Sequence, residues 1–413
     1  MNVAMTETET KVDRKLDIPD LSDPQTFIED VPHAVLARLR DKPGLYWQPA
    51  EYGTMNGGFW AVTRFKDLTD IEKQPEIFTS SEGMNFPSTG QRDNPDIVNH
   101  LMFKDPPDHS RLRRVATKSF GPRVVANFET WVREIVCEVL DVCLAKGEFD
   151  WVDDVARLVP SFVIARVMGV PREDRAKIVG WTDVLFRVAM DRDATEQRLA
   201  VYKLIWEYTD KLREEKVRNP QDDMVTALAQ CHERGELTHR EYLHYSHLLI
   251  VAGYETTHTL IGQSMRLVVE NAEVARLSEE AIAAGRTTEL VREFLRYVSP
   301  VMNMARTATR DVEMFGEKIR KGDLMQMYFT SANRDPVAFA DPDRFDPYRK
   351  ETSAVAFGSG IHRCMGAALA ELEGVVLFDE LHKRGIKLRL NGKPQRGWST
   401  WINQLTVLPV AVV

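Results

Sequence analysis

The chain has 413 residues, of which 43% are hydrophobic and 28% charged, an ordinary composition for a globular protein. Its formal net charge of −8 at pH 7 argues against nucleic acid as the main partner, because phosphate binding needs a basic surface. No apolar stretch approaches the roughly 20 residues needed to span a bilayer, so we expect no membrane partner. Residues 1–15 are polar and lack the apolar core of a secretory signal, so we expect a flexible tail on a cytoplasmic protein.

Turn signals and apolar spacing divide the rest of the chain into strands and helices. LYWQPA and GFWAVTRF alternate with turn residues and predict a small β-sheet, and residues 80–99 predict a long Gly- and Pro-containing loop. Residues 109–284 carry apolar residues at three- and four-residue spacing, which predicts helices. The longest, HREYLHYSHLLIVAGYETTHTLIGQSMRLVVENAEVARL, suits a helix through the centre of the molecule. After residue 300 short strands return, and one last helix and a C-terminal β segment follow. We therefore expect a mainly α (α+β) fold, with a single helix-rich domain over residues 16–413 and a small β-rich region.

One of the four cysteines, Cys364, has unusual surroundings in the loop AFGSGIHRCMG, residues 356–366. There is no CxxC pair, so neither a zinc site nor a redox pair is indicated. The glycines allow sharp turns and close approach, and the helix that follows directs its positive end at the sulfur. A nucleophile, a redox sensor and a metal ligand are three possible uses. His362 lies two positions away and tends to point to the opposite side of an extended loop, so it is a poor base for a nucleophile. A thiolate ligand to haem iron accounts for all these features together.

This loop resembles the haem-ligand motif F-G-x-G-x-H-x-C-x-G of the cytochrome P-450 family. A match by chance somewhere in such a chain has a probability of the order of one in a million from average residue frequencies. The resemblance implies the cytochrome P-450 fold and a haem b (iron protoporphyrin IX) cofactor, with Cys364 as the axial ligand of the iron. It also implies haem contacts from the other motif residues, Phe357, Gly358, His362 and Gly366.

The segment ELVREFLRYVSP resembles the E-x-x-R helix of the same family, with Glu293 and Arg296 one turn apart on one helical face. Downstream, DPDRFDPYR resembles the family's P-E-R-F segment and contributes Arg344. The resemblance implies that these three residues form a buried polar network behind the haem. Buried charges need such pairing, so we expect a structural role for them.

The segment VAGYETTH resembles the oxygen-activating part of the family's central helix. Ala252 and Gly253 are small enough to leave room at the face of a haem. A threonine hydroxyl can open the local helix hydrogen bonding and hold a water, and a neighbouring carboxylate can relay protons. The resemblance assigns these catalytic roles to Thr256 and Glu255.

The segment KDPPDHSRLRRVATKSF resembles the helix that binds the haem propionates. His109 and Arg113 are four residues apart and share a face, and the propionates need cationic or donor groups. Arg306 and His362 resemble the remaining propionate partners. Arg111 and Arg114 fit a solvated face, or, with Lys118, a basic docking patch for an acidic electron donor.

The resemblance implies a monooxygenase that inserts one oxygen atom of O2 into a C–H bond of a hydrophobic small molecule. Ferredoxin and ferredoxin reductase are the expected electron donors for a monomeric enzyme. Family topology places eight residues over the distal haem face as expected substrate contacts: Met84, Phe86, Val251, Met302, Asn303, Met304, Trp401 and Ile402. This set favours a hydrophobic molecule with few polar groups. The segments RGWSTWINQL and GFWAVTRF resemble relatives that oxidise sterols and terpenoids, which implies a steroid or terpenoid substrate. Aromatic hydrocarbons and fatty acids stay open as alternatives, as does a non-catalytic haem-thiolate binding or sensor protein.

Overall fold

The computed structural model describes residues 18–86, 100–117, 120–187, 195–351 and 353–413. The tail predicted for residues 1–15 and most of the loop predicted for residues 80–99 lie outside these ranges. Within them, the helices are α1 His33–Asp41, α2 Phe65–Glu72, α3 Asp108–Thr117, α4 Pro122–Ala126, α5 Glu129–Leu144, α6 Leu158–Met168, α7 Arg175–Arg187, α8 Thr195–Arg218, α9 Met224–Glu233, α10 His239–Glu270, α11 Ala272–Ala283, α12 Thr287–Val298, α13 Phe329–Ala332 and α14 Ala367–Lys383.

The strands are short and lie mainly at the two ends of the chain. They are β1 Tyr46–Pro49, β2 Gly58–Val62, β3 Phe78–Thr79, β4 Glu148–Asp150, β5 Asn303–Ala308, β6 Val312–Met314, β7 Glu317–Ile319, β8 Leu324–Tyr328, β9 Leu388–Leu390, β10 Gln395–Arg396, β11 Leu405–Val407 and β12 Pro409–Val412. The main sheet has the order β1-β2-β8-β5-β3, with β2 and β8 parallel and the other neighbours antiparallel. Strand β12 pairs with both β4 and β9, so the C-terminus closes a second small sheet.

The central helix α10 organises the helical part of the fold. It begins with a capping box in which Thr238 and Glu241 satisfy each other's backbone N–H groups. Helices α6, α8, α12 and α14 pack around it, so α10 is buried along most of its length. Because α10 and α14 are in contact, the helix that follows Cys364 is anchored directly to the centre of the molecule.

The predicted fold class is confirmed, and one boundary is wrong. The expected small N-terminal sheet forms from β1 and β2, and the expected late strands and last helix are present. The long central segment, however, is two helices and not one, because Asn271 ends α10 and caps α11. Its side chain accepts hydrogen bonds from the backbone N–H groups of Glu273 and Val274, at 3.0 and 3.2 Å. In the described ranges no helix is both long and apolar enough to cross a membrane.

Candidate active site

The cysteine loop is folded tightly against α2. The backbone N–H of Cys364 donates to the carbonyl of Phe357 at 2.9 Å, which closes the loop. Gly358 and Gly360 have φ angles of 65° and 62°, in the left-handed region that favours glycine. A Cβ atom on Gly360 would lie 2.1 Å from the carbonyl oxygen of Glu72, so this position has no room for a side chain. The glycine spacing of the motif therefore has a steric cause in this chain.

A buried carboxylate, Glu72, holds the same loop and was missed by the sequence analysis. It accepts hydrogen bonds from the backbone N–H and the hydroxyl of Ser359, at 2.7 and 2.5 Å. The guanidinium of Arg306 lies 3.8 Å from it. Burial raises the pKa of Glu72, and Arg306 and Ser359 oppose that rise. One sequence signal was available, because Glu72 shares the apolar face of α2 with Leu68, and a charge on such a face needs a partner.

The thiol of Cys364 is accessible although protein atoms surround it, from which we infer an internal cavity beside it. Burial among protein atoms raises the pKa of the thiol. The backbone N–H groups of Gly366 and Ala367, at the start of α14, lower that pKa, as does the guanidinium of Arg113. These are the donors that stabilise a thiolate, so the sulfur is placed to bind a metal ion from within the protein.

Helix α10 carries a second accessible position. Ala252 is exposed and its neighbours Val251 and Gly253 are partly exposed, although α10 is buried along most of its length, so we infer that this turn lines the same cavity. Tyr245 lies two turns earlier on the same face of α10. Its hydroxyl donates to the carbonyl of Leu112 at 3.2 Å and contacts the sulfur of Met365 at 4.0 Å. Because Met365 adjoins Cys364, this contact orients the face that carries Ala252 toward the side of the thiol.

Two histidines and two arginines gather at one edge of the cysteine loop. The rings of His109 and His362 lie 4.3 Å apart, and the Nε2 atom of His362 is 3.1 Å from the hydroxyl of Ser80. His109 is 1% exposed, and neither ring nitrogen has a hydrogen-bond partner among the residues that the structure describes. Burial lowers the pKa of His109 to about 4, with a further contribution from Arg113. Burial, Arg306 and the other members of the cluster lower the pKa of His362.

This cluster meets a physical test for the two haem carboxylates. Buried ring nitrogens without partners cost free energy, and a carboxylate would accept a hydrogen bond from the N–H of His109 and neutralise the nearby arginines. Arg113 also donates to the carbonyl of Arg363, next to Cys364, so the cluster and the thiol belong to one site. The donor set of this chain therefore fits a flat ring with two carboxylates and a metal ion that takes one thiolate.

The predicted glutamate–arginine pair forms a buried network with a different third member. Arg296 donates to both carboxylate oxygens of Glu293, at 2.7 and 2.8 Å, and both side chains are buried. The prediction for Arg344 is corrected, because its side chain is exposed and only its carbonyl accepts from Arg296, at 3.2 Å. Arg349 takes its place, with a buried Nε atom 3.5 Å from Glu293. Arg344 stands at the motif position, but the turn that follows directs Arg349 inward.

The network is tied to the cysteine loop through one asparagine. Arg296 donates to the carbonyl of Asn333 at 2.8 Å, and the side-chain oxygen of Asn333 accepts from the backbone N–H of Val355 at 2.7 Å. Val355 lies immediately before the cysteine loop. The buried charges therefore fix the backbone from which the loop starts, which agrees with a structural role.

Glu255 and Thr256 lie beside Ala252 on α10. The hydroxyl of Thr256 donates to the carbonyl of Ala252 at 3.0 Å and is partly exposed. Glu255 is buried, and burial raises the pKa of its carboxyl group to about 7. A carboxyl group with this pKa can both hold and release a proton near neutral pH.

The residues expected to contact substrate divide into two groups. Val251, Met304 and Trp401 are partly exposed and are available to line the cavity. The other five are buried: Met84, Phe86, Met302, Asn303 and Ile402.

The buried group is held by contacts within the protein. Phe86 packs against Phe59, with ring centroids 5.4 Å apart. The Asn303 side chain donates to the carbonyl of Thr400 at 2.6 Å and accepts from Gln326, so its hydrogen bonds are used internally. The structure nevertheless brings the two segments together, since the backbone N–H of Met302 donates to the carbonyl of Trp401 at 2.8 Å. Substrate contacts for these five residues stay a prediction.

Comparisons with known proteins agree with this site. The family model described as cytochrome P450 matches residues 73–381. The steroid C26-monooxygenase of Mycobacterium tuberculosis is 32% identical over 400 residues, covering 93% of this chain and 90% of the relative. The linalool 8-monooxygenase of Pseudomonas putida is 30% identical over 413 residues, covering 96% of this chain and 99% of the relative.

Among solved structures, P450BioI in complex with hexadec-9Z-enoic acid ligated acyl carrier protein is similar. Its TM-score is 0.83 at 29% identity, with 92% of this chain and 98% of that chain covered. The matched family uses a haem cofactor and O2, together with redox partners that supply electrons. The chain therefore belongs to the cytochrome P450 family and is a haem-dependent monooxygenase that hydroxylates hydrophobic small molecules.

Proposed function

We propose that the cavity between Cys364 and Ala252 would hold haem b, with the Cys364 thiolate as the protein ligand of its iron. His109, Arg113, Arg306 and His362 would bind its two propionates. When bound, the haem supplies the activation of O2 and the oxidation of the substrate C–H bond. The observation that carries the proposal is the placement of an accessible thiol in the interior, beside a buried histidine with two unpartnered nitrogens.

Proton delivery is the proposed role of Glu255 and Thr256. The overall reaction converts substrate, O2, two electrons and two protons into hydroxylated product and water. Burial keeps a proton on the Glu255 carboxyl group near neutral pH, because its pKa is raised to about 7. The Thr256 hydroxyl is held at the carbonyl of Ala252 and is partly exposed, so it can orient a water beside the proton donor. A haem-thiolate binding or sensor protein would not need this pair.

The proposed substrates are steroids or terpenoids. Two relatives support this class by name, the steroid C26-monooxygenase and the linalool 8-monooxygenase. The partly exposed side chains of Val251, Met304 and Trp401 give the cavity an apolar lining. Fatty acids are the main alternative, because the structure of P450BioI contains a fatty acyl chain on its carrier protein. Aromatic hydrocarbons fit the same apolar lining.

Electrons are proposed to come from a ferredoxin and its reductase. Arg114, Arg123 and Arg363 are exposed around the cysteine loop and α3–α4, and none forms an ion pair in the described part of the chain. An acidic ferredoxin would find complementary charge there. Arg111 is not available for this patch, because it pairs with Glu241, and Lys118 lies outside the described residues. The cytoplasmic location, the monomeric state and the single domain over residues 16–413 stay predictions.

Two spectroscopic measurements test this proposal. The purified protein should take up haem, and its reduced CO complex should show the thiolate-type absorption, which Cys364→Ala should lose. Retention of that absorption in the variant would remove Cys364 as the ligand. A titration with steroids, terpenoids, fatty acids and aromatic hydrocarbons should then show displacement of water from the iron by the first two classes at the lowest concentrations. A stronger response to fatty acids would contradict the proposed class without affecting the haem site.

A further inference from the structure

Two aromatic side chains of α8 lie against histidines of α10 and show how the two helices pass each other. The Trp206 ring lies 5.2 Å from the His244 ring, and the Tyr202 ring lies 4.4 Å from the His247 ring. From the first pair to the second, the position on α8 decreases from Trp206 to Tyr202, while the position on α10 increases from His244 to His247. The two helices therefore run antiparallel at this interface.

The side chains of Tyr202 and Glu255 are directed toward the same place along the interface between α8 and α10. His247, Val251 and Glu255 follow at four-residue spacing and share the face of α10 that meets α8. Side chains on a helix lean toward its N-terminus, so Glu255 covers the turn around Val251. Tyr202 leans toward the N-terminus of α8, which in an antiparallel pair is the direction from His247 toward Val251. The phenol and the carboxyl group therefore converge over Val251.

The electrostatics of both groups agree with this convergence. Burial raises the pKa of Tyr202, Arg198 lowers it, and the Glu255 carboxylate raises it again. Glu255 itself is 8% exposed, and burial is the only cause that shifts its pKa. Among the described residues no cation therefore shifts the pKa of this carboxyl group, and we infer that a proton reaches it from outside.

Tyr202 lies between the buried Glu255 carboxyl group and a more solvent-accessible region. Its side chain is partly exposed, and its hydroxyl makes no hydrogen bond within the described ranges. Behind its ring, the Nε2 atom of His247 is buried without a hydrogen-bond partner. A water between these polar atoms would have the partners that an internal water needs. The interface between α8 and α10 therefore offers the polar groups that a proton route needs.

We propose that Tyr202 is a positioning residue that passes protons from solvent to Glu255, and this rests on the proposed role of Glu255. A hydronium ion from solvent gives a proton to the Tyr202 oxygen and becomes water, as the phenol proton moves to the Glu255 carboxylate. Tyr202 is neutral before and after the step, and Glu255 gains the proton that it later gives to the reaction. The two electrons come from the redox partner of the established activity.

The experiment compares three variants of the haem-loaded enzyme with a substrate from the titration panel. Tyr202→Phe removes the hydroxyl and keeps the ring against His247. Tyr208→Phe is the matched control on the same helix, since the Tyr208 hydroxyl donates to Asp174 at 2.9 Å outside this interface. Glu255→Gln tests the underlying assignment. Product, peroxide and NADH are measured per turnover, in H2O and in D2O.

Tyr202→Phe should slow product formation by about tenfold, less than the roughly 10²-fold or greater loss expected when the direct proton donor is removed. Peroxide should rise, the solvent isotope effect should exceed that of the wild type, and substrate affinity should stay within twofold. Tyr208→Phe should match the wild type. If Glu255→Gln uncouples the enzyme while Tyr202→Phe has wild-type coupling and isotope effect, the route through Tyr202 is refuted and the role of Glu255 is retained. If Glu255→Gln has no effect, the assignment of Glu255 fails and the route with it. A loss of substrate affinity in Tyr202→Phe without an isotope effect would make Tyr202 a substrate contact, contrary to the proposal.

Discussion

Replacement of Arg349 by alanine should destabilise the protein far more than replacement of Arg344. The Arg349 guanidinium lies 3.5 Å from Glu293 with 6% of its side chain exposed, and it donates to the carbonyl of Arg344 at 2.9 Å. Loss of one partner of a buried charge pair costs about 3 kcal/mol at the low end. Arg344 is exposed and its side chain makes no ion pair in the described residues, so its removal should change the free energy of unfolding by less than about 0.5 kcal/mol.

This loss in the free energy of unfolding corresponds to a lower melting temperature. The unfolding entropy is about 2.1 cal/mol/K per residue, which for 413 residues is about 0.9 kcal/mol/K, so a loss of about 3 kcal/mol lowers Tm by about 3–4 °C. Calorimetry of both variants checks the difference, and the reduced CO spectrum reports whether the cysteine loop keeps its geometry. Equal destabilisation by the two variants, or an unaffected Arg349→Ala protein, would refute the assignment of Arg349 to the network.

Three further changes test separate features of the site. Thr256→Ala should keep haem but divert electrons into peroxide, and a measured coupling equal to the wild type would remove Thr256 from proton delivery. Gly360→Ala places a Cβ atom 2.1 Å from the Glu72 carbonyl at a φ of 62°, so haem retention and Tm should both fall, whereas Gly385→Ala, at a φ of 63° with open space, should lower Tm only slightly. Burial lowers the pKa of His247 to about 3, so the unfolded state binds the extra proton first and stability falls as pH drops from about 6.5 toward 3. His247→Phe should therefore be less sensitive than the wild type by about 2 kcal/mol between pH 7 and pH 5 in urea unfolding, and an unchanged slope would contradict a buried neutral His247.

Much of the site could be predicted because its parts are local in the chain. The glycines, the thiol and the start of α14 lie within one short loop, and Ala252, Glu255 and Thr256 lie within two turns of one helix. Their relative positions follow from backbone geometry alone. The same is true of the Glu293–Arg296 pair, which is one turn apart and whose charged groups lie 2.7 Å from each other in the structure.

The partners that lie far apart in the chain could not be predicted in this way. Glu72 and Ser359 are 287 positions apart in the chain, and no local sequence pattern predicts a contact at that separation. The motif predicted Arg344 and not Arg349 as the third member of the network. A motif position does not show which side chain the following turn directs inward. Phe86 and Asn303 were assigned to substrate from family topology, but their packing within the protein depends on neighbours in other segments.

The sequence by itself therefore predicted the type of reaction, from one thiol at the start of a helix and one acid–threonine pair beside small residues, and the family match agrees with a monooxygenase. The tertiary structure alone decided which charges are buried together. A buried carboxylate such as Glu72, Glu255 or Glu293 must either find a cation or donor, or hold a proton. Which of these happens depends on what the fold packs against it. Glu72 and Glu293 face arginines, whereas no cation of the described residues shifts the pKa of Glu255, and burial raises that pKa to about 7.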